Sequence, residues 1–190
     1  MAKRAANKKP FLSDITTLRS RARKHIGDGN ITHTYTGDPK KTIAILQTVL
    51  ATEIVCVLRY TLHSVAATGL SSEAVKEEFR EHANEEREHM HSVAERINQL
   101  GGTPNLDPSG LQTRSASEYG TAETLIDMIK ENLIAERIAV DHYRELIRYF
   151  GEDDPTTKRM LEHILAVEEE HADDMHGLLI AHQGKPMLEN

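Results

Sequence analysis

The segment ILAVEEEHADDM, residues 164–175, sets five carboxylates and one histidine in a stretch otherwise patterned for burial. On a helix, residues about three, four and seven positions away share a face with a central residue. Around Glu168 those neighbours are Leu161, Ile164, Leu165, His171, Ala172 and Met175, so Glu168 and His171 face inward. Glu169, Glu170, Asp173 and Asp174 fall on the outer flanks. The same test sets Glu53 among Leu46, Val49, Leu50, Cys56, Val57 and Tyr60, and Glu136 among Ile129, Asn132, Leu133, Ala139, Val140 and Tyr143. Glu86 shares its face with Phe79, His82, Ala83, His89, Met90 and Val93.

The pattern occurs twice. Glu53 to Glu86 spans 33 residues with His89 three later, and Glu136 to Glu168 spans 32 with His171 three later. Tyr60 and Tyr143 each follow the first glutamate of their half by seven residues. Taken singly, a core-facing glutamate is more often a snorkelling side chain, and Glu-x-x-His alone is weak in helices this charged. Four at matched spacing are different, because uncompensated buried carboxylates cost several kcal/mol per ion. A divalent metal supplies the compensation, and carboxylate oxygens with neutral imidazoles suit Fe(II) or Mn(II).

Four helices must position these residues. Asp38-Pro39 opens the first and Gly69 closes it; Ser71 or Ser72 opens the second, which runs to Gly101-Gly102. Thr121 is expected to open the third, which ends at Gly151, and Asp154-Pro155 the fourth, which runs to about Gly184. The short connections within each pair force antiparallel neighbours. GGTPNLDPSGLQTRSASEYG, residues 101–120, is long enough to cross the length of a bundle. The expected fold is all-α: two antiparallel helical hairpins joined by one long crossover, over residues 38–185, with 186–190 as a tail.

Residues 1–37 form a basic arm, with a short amphipathic helix expected in FLSDITTLRSRARKHI (11–26). Up to residue 41 ten Lys/Arg face three Asp, a charge of +7, whereas the remainder carries −14. The composition, 38% apolar with only 4% aromatic residues, favours helices. No apolar run is long enough to predict a membrane span, and the single cysteine, Cys56, allows neither an intrachain disulfide nor a thiolate metal cluster. A cytoplasmic location is expected. His25, His33, His63, His91, His142, His176 and His182 are read as surface or interface positions.

These residues resemble the ferritin-like di-iron proteins, and bacterioferritin in particular. TEIVCVLRYTLH (52–63), EEREHMHSVAERINQLGGTPNL (85–106), NLIAER (132–137) and EEEHADDM (168–175) are similar to its four helix motifs, over about residues 40–180. The resemblance implies a ferritin-like four-helix bundle holding two Fe ions per subunit. It implies that Glu53 and His89 bind one iron, Glu136 and His171 the other, and that Glu86 and Glu168 bridge them. Tyr60 stands where the family has a tyrosine beside the site, able to supply an electron or a hydrogen bond; a packing role is the alternative, and for Tyr143 the expected one.

The likeness has two departures. Arg87 occupies the position of the family's haem-ligating methionine, and Met90 is out of register, so haem is not expected. The chain ends nineteen residues after His171, too soon for the fifth helix of 24-subunit cages, and with its basic arm is closer to twelve-subunit Dps-like shells. The implied activity is ferroxidation: Fe(II) is oxidised by O2 or H2O2 and Fe(III) stored in the cage. Two other classes remain open. The arm, with Lys3, Arg4, Lys8, Lys9, Arg19, Arg21, Arg23 and Lys24, could bind DNA, or the bundle could act as a di-metal peroxidase without storage.

Overall fold

A computed structural model describes residues 12–69 and 72–183. Regular structure among them is entirely helical, and the chain divides into two units after Tyr35. Lys3, Arg4, Lys8 and Lys9 of the arm, Ser71, the expected helix end at Gly184 and the tail 186–190 lie outside the described residues.

The first unit contains α1 (Ile15–Lys24), the short helix expected there. Asp14 starts it by accepting hydrogen bonds from the Thr17 amide at 2.9 Å and the Thr17 hydroxyl at 2.6 Å. Arg21, Arg23 and Lys24 fill its last turn, where positive charge suits the negative end of the helix dipole.

The second unit is built from α2 (Pro39–Ala66), α3 (Ser72–Gln99), α4 (Leu111–Arg114), α5 (Leu125–Phe150) and α6 (Pro155–Gln183). Asp38 caps α2 through the amides of Lys40 and Lys41, with Pro39 pre-set for the first turn. Asp154 caps α6 through the Thr157 amide at 2.9 Å and also accepts from Arg96 at 2.8 Å, tying the start of α6 to the end of α3. The α5 start differs from expectation. It is capped by Thr124, not Thr121: the Thr124 hydroxyl accepts from the Asp127 amide at 3.2 Å and donates to its carboxylate at 2.6 Å. Thr121 has only another threonine three residues on, which cannot make this reciprocal pair. Two glycines turn the chain out of α3. Gly101 takes φ +82°, and a Cβ on Gly102 would lie 3.0 Å from the side chains of Ile43 and Ile97.

Helix α2 packs on α3 and α5 on α6, with contacts between the hairpins through α2–α5 and α3–α6. Partners on α2 and α5 run in opposite order: Glu53 meets Tyr143, Tyr60 meets Glu136 and His63 meets Asn132. The crossover follows α2 along its length. Gln47 donates to the Thr103 carbonyl, Thr52 accepts from the Ala116 amide and Arg59 donates to the Glu118 carbonyl. From Gln47 to Arg59 is about 18 Å of helix. The one-turn α4 sets Leu111 against Ala51, Val55 and Ile54.

Helix α2 gains this cover in addition to its burial against α3 and α5. By length and composition it is the one described helix that could cross a membrane, but half of its apolar stretch is buried among the other helices. It also carries Glu53 and Arg59 on buried faces, the pattern of a core helix. Arg59, fully enclosed, donates from Nε to Asn132 at 2.9 Å and so links α2, α5 and the crossover. His63 departs from the surface position expected for it: it is buried, with Nδ1 3.1 Å from the Asn132 amide nitrogen.

Candidate metal centre

The helical period brings the six expected residues to one level of the bundle. Glu53, Glu86, His89, Glu136, Glu168 and His171 are each no more than 5% exposed. His89 Nδ1 lies 3.1 Å from Glu168 Oε1, 3.4 Å from Glu53 Oε2 and 3.5 Å from Glu86 Oε2. His171 Nδ1 lies 3.5 Å from Glu168 Oε2, 3.8 Å from Glu86 Oε1 and 3.9 Å from Glu136 Oε2. Glu86 and Glu168 each turn one oxygen to either histidine, whereas Glu53 meets only His89 and Glu136 only His171. Ligands around one ion at roughly 2.1 Å lie about 3–3.4 Å apart, so the spacing suits two adjacent ions.

The hydrogen bonding singles out the same atoms. Glu53 Oε2, both oxygens of Glu86 and of Glu168, Glu136 Oε2, and Nδ1 of His89 and His171 are buried without a hydrogen bond of acceptable geometry. Buried polar groups are otherwise nearly always satisfied, so a knot of inward-facing orphans fits metal well. The outer oxygens of the terminal glutamates are held by tyrosines of the opposite hairpin. The Tyr60 hydroxyl donates to Glu136 Oε1 at 2.5 Å, and that of Tyr143 donates to Glu53 Oε1. Tyr143 therefore does more than the packing expected of it. The clue was present in the repeat, because both tyrosines follow their glutamates by seven residues.

Without metal the cluster compensates its charge with protons. Burial and then Glu168 and Glu53 push Glu86 well above the usual carboxylate range; burial and Glu168 do the same to Glu136. Burial also opposes ionisation of Glu168, but the imidazoles of His171 and His89 more than offset it and hold that carboxyl low. Burial disfavours charge on the histidines too, yet their carboxylate neighbours prevail: His89 is raised, and His171 moves up to about 9.

The two ends of the centre are finished differently. His171 Nε2 donates to Glu85 Oε2 at 2.7 Å, which leaves Nδ1 free to face the cluster. His82 stacks on the His171 ring with centroids 3.9 Å apart. Burial, helped by His171, lowers His82 to about 3, so its ring is neutral. Sequence reasoning set His82 on the core face without a role and missed Glu85, which lies one residue off that face. At the other end His89 borders a cleft of about 130 Å³ lined by Met160, Ile164 and Val167 and by Glu85, Glu88, Ser92 and His163. Arg87, at the position compared with a haem ligand, is exposed and donates to Asn84 at 2.7 Å; Met90 is half-buried.

Two crossed helical hairpins around a buried carboxylate–imidazole pair define a ferritin-like protein. The chain belongs to that family: the ferritin-like domain matches residues 43–181. It is 32% identical over 152 residues to a DNA protection during starvation protein of Pyrococcus furiosus, covering 78% of this chain and 80% of that one. It is 28% identical to a Mycobacterium avium bacterioferritin, over 72% of this chain and 82% of the other. Among solved structures, a dodecameric thioferritin, the bacterioferritin-related protein of Bacteroides fragilis, is 33% identical with a TM-score of 0.74, over 81% of this chain and 94% of that one.

Proposed function

We propose that this protein is a ferroxidase that binds two Fe(II) ions per chain and stores the Fe(III) product inside a homo-oligomeric shell. The observation that carries this reading is the convergence of eight buried, unpartnered ligand atoms. Glu53 and His89 hold one ion, Glu136 and His171 the other, and Glu86 and Glu168 bridge them. Each bound Fe(II) gives one electron, so the pair reduces dioxygen to hydrogen peroxide, or peroxide to water, with uptake of two protons and no release of a one-electron product. Tyr60 and Tyr143 hold Glu136 and Glu53 so that one oxygen of each is presented to an ion. Glu85 fixes the His171 tautomer. The buried Cys56, unbridged, fits a reducing cytoplasm.

Assembly as a twelve-subunit shell is supported by the dodecameric Bacteroides relative. Exposed Leu58, Val65 and Ile134 offer apolar surface for neighbouring copies. A dimer in light scattering would favour a peroxidase without storage; a twenty-four-subunit mass would redirect the assembly reading alone. The activity is tested by anaerobic Fe(II) titration of metal-free protein followed by O2 or H2O2. The expected result is a break at two irons per chain and fast oxidation lost in Glu136→Ala. A break unchanged by that substitution would remove the site.

DNA protection is a second activity favoured by one observation. Arg19, Arg23 and Lys24 of α1 are exposed, and a shell would repeat them on every subunit. Removal of residues 1–30 is expected to abolish a salt-sensitive DNA mobility shift while leaving iron oxidation intact.

A further inference from the structure

The repeat that builds the metal centre is broken outside it. Counting from the bridging glutamates, Glu78, His82 and Glu85 of α3 correspond to Met160, Ile164 and Val167 of α6. Asp174, three residues past His171, corresponds to Ser92, three past His89. At these positions the His171 end has three carboxylates and an imidazole where the His89 end has three apolar side chains and a serine.

Three of those groups converge. His82 Nε2 lies 3.4 Å from Glu78 Oε1 and 3.6 Å from Asp174 Oδ2. These separations make poor hydrogen bonds but are close to those between ligands of one ion. The residue is 1% exposed, and its Nδ1 has no partner at all. Glu78 and Asp174 are half-buried, and among the described residues neither is paired with a lysine or arginine. A buried imidazole, aimed at two uncompensated carboxylates that reach solvent, asks for a cation. The cluster also leads inward: His82, Glu85 and His171 bring ligand atoms within 4.8 Å of one another.

From these contacts we infer that Glu78, His82 and Asp174 form a mononuclear divalent-cation site, through which Fe(II) reaches the dinuclear centre at its His171 end. The transit role rests on the ferroxidase reading; the cation site does not. Neutral nitrogen and two carboxylates match the dinuclear ligands in kind, and two half-exposed acids allow the ion to leave. The cleft at the His89 end is lined by Glu85, Glu88 and His163 besides its apolar side chains, but among the described residues their ligand atoms do not gather within 4.8 Å of one another as those of Glu78, His82 and Asp174 do.

Crystals of the full chain soaked in Co(II), examined by anomalous diffraction, test the site. Density at His82 Nε2, besides the dinuclear pair, is expected in the wild type. The double variant Glu78→Gln/Asp174→Asn is expected to lose that density alone. In rapid mixing with Fe(II) and O2 the variant is expected to oxidise the same iron per chain in its fast phase, severalfold more slowly. Cobalt in the dinuclear pair with none at His82 would overturn the site. Density lost from His82 with unchanged oxidation kinetics would overturn the transit role. Cobalt at His82 with an empty dinuclear cluster would instead overturn the ferroxidase reading.

Discussion

The two ends of the metal centre are built from one pattern and differ in what stands behind the histidine. At the His89 end the ring borders a small cleft lined by Met160, Ile164 and Val167 together with Glu85, Glu88 and His163. At the His171 end it is clamped by Glu85 and covered by His82, with Glu78 and Asp174 beyond. The inner halves are matched nearly atom for atom, so the duplicated helices explain the ligand set; the outer halves have been free to diverge. On the proposed ferroxidase reading, matched inner atoms suit a reaction in which each ion loses one electron.

The largest effect is expected where the ends cannot be separated. Glu168→Ala removes an oxygen from both, and fast Fe(II) oxidation should fall by a factor on the order of 100 or more. Glu53→Ala should instead leave the His171 end able to bind, so that anaerobic Co(II) titration takes up one ion per chain fewer than the wild type. If both variants lose both sites, the ends are not independent.

Glu85→Ala should weaken binding at the His171 end by about 10-fold, as loss of a residue orienting a ligand does, and leave the other end unchanged. Cobalt absorption during the titration would resolve the two affinities. Equal weakening at both ends would show that the clamp is a general packing contact.

The tyrosines sharpen the inner match. Tyr60→Phe and Tyr143→Phe each leave a buried carboxylate oxygen unpaired, and each should cost the metal-free protein about 1–3 kcal/mol. Urea unfolding would measure it. A neutral Tyr143→Phe beside a costly Tyr60→Phe would return Tyr143 to a packing role.

The smallest effect is expected from pH. In the metal-free chain His171 is raised from 6.5 to about 9, so its protonated form stabilises the fold fully below about pH 6.5, and this is lost as pH rises through 9. His82 is lowered to about 3, so its contribution is present above about pH 6.5 and lost as pH falls toward 3. His171 therefore adds an alkaline decline, and His82 an acid one, to the thermal midpoint of metal-free protein. Both come on top of the loss that the raised Glu86 and Glu136 bring as pH climbs above the usual carboxylate range. His82→Gln should flatten the acid side only. Bound metal should remove the alkaline decline, because the ion replaces the protons.

Much of this was legible before any coordinates. The helices announce themselves through Asp-Pro starts and Gly ends, and the period of 3.6 residues assigns each glutamate to a face. The matched spacing of Glu53, Glu86 and His89 with Glu136, Glu168 and His171 singles out the candidate ligand set, because helices of similar length joined by short turns bring equivalent positions level. Local chemistry also dictates the basic helix α1. Even the Thr124 start was written in Thr-x-x-Asp, although Thr121 competed with it.

Tertiary structure alone decided who meets whom. The period reports which way a side chain faces but not what stands opposite, so it could not show that each tyrosine serves the glutamate of the other hairpin. Glu85 lies about 100° around the helix from Glu86, off the core face, and becomes significant only because His171 of α6 arrives beside it. His63 and Arg59 are buried because the crossover and Asn132 cover them, a consequence of chain path that no single-helix pattern contains. The same holds for Glu78, His82 and Asp174: they come from two helices, and only packing α3 against α6 makes them neighbours.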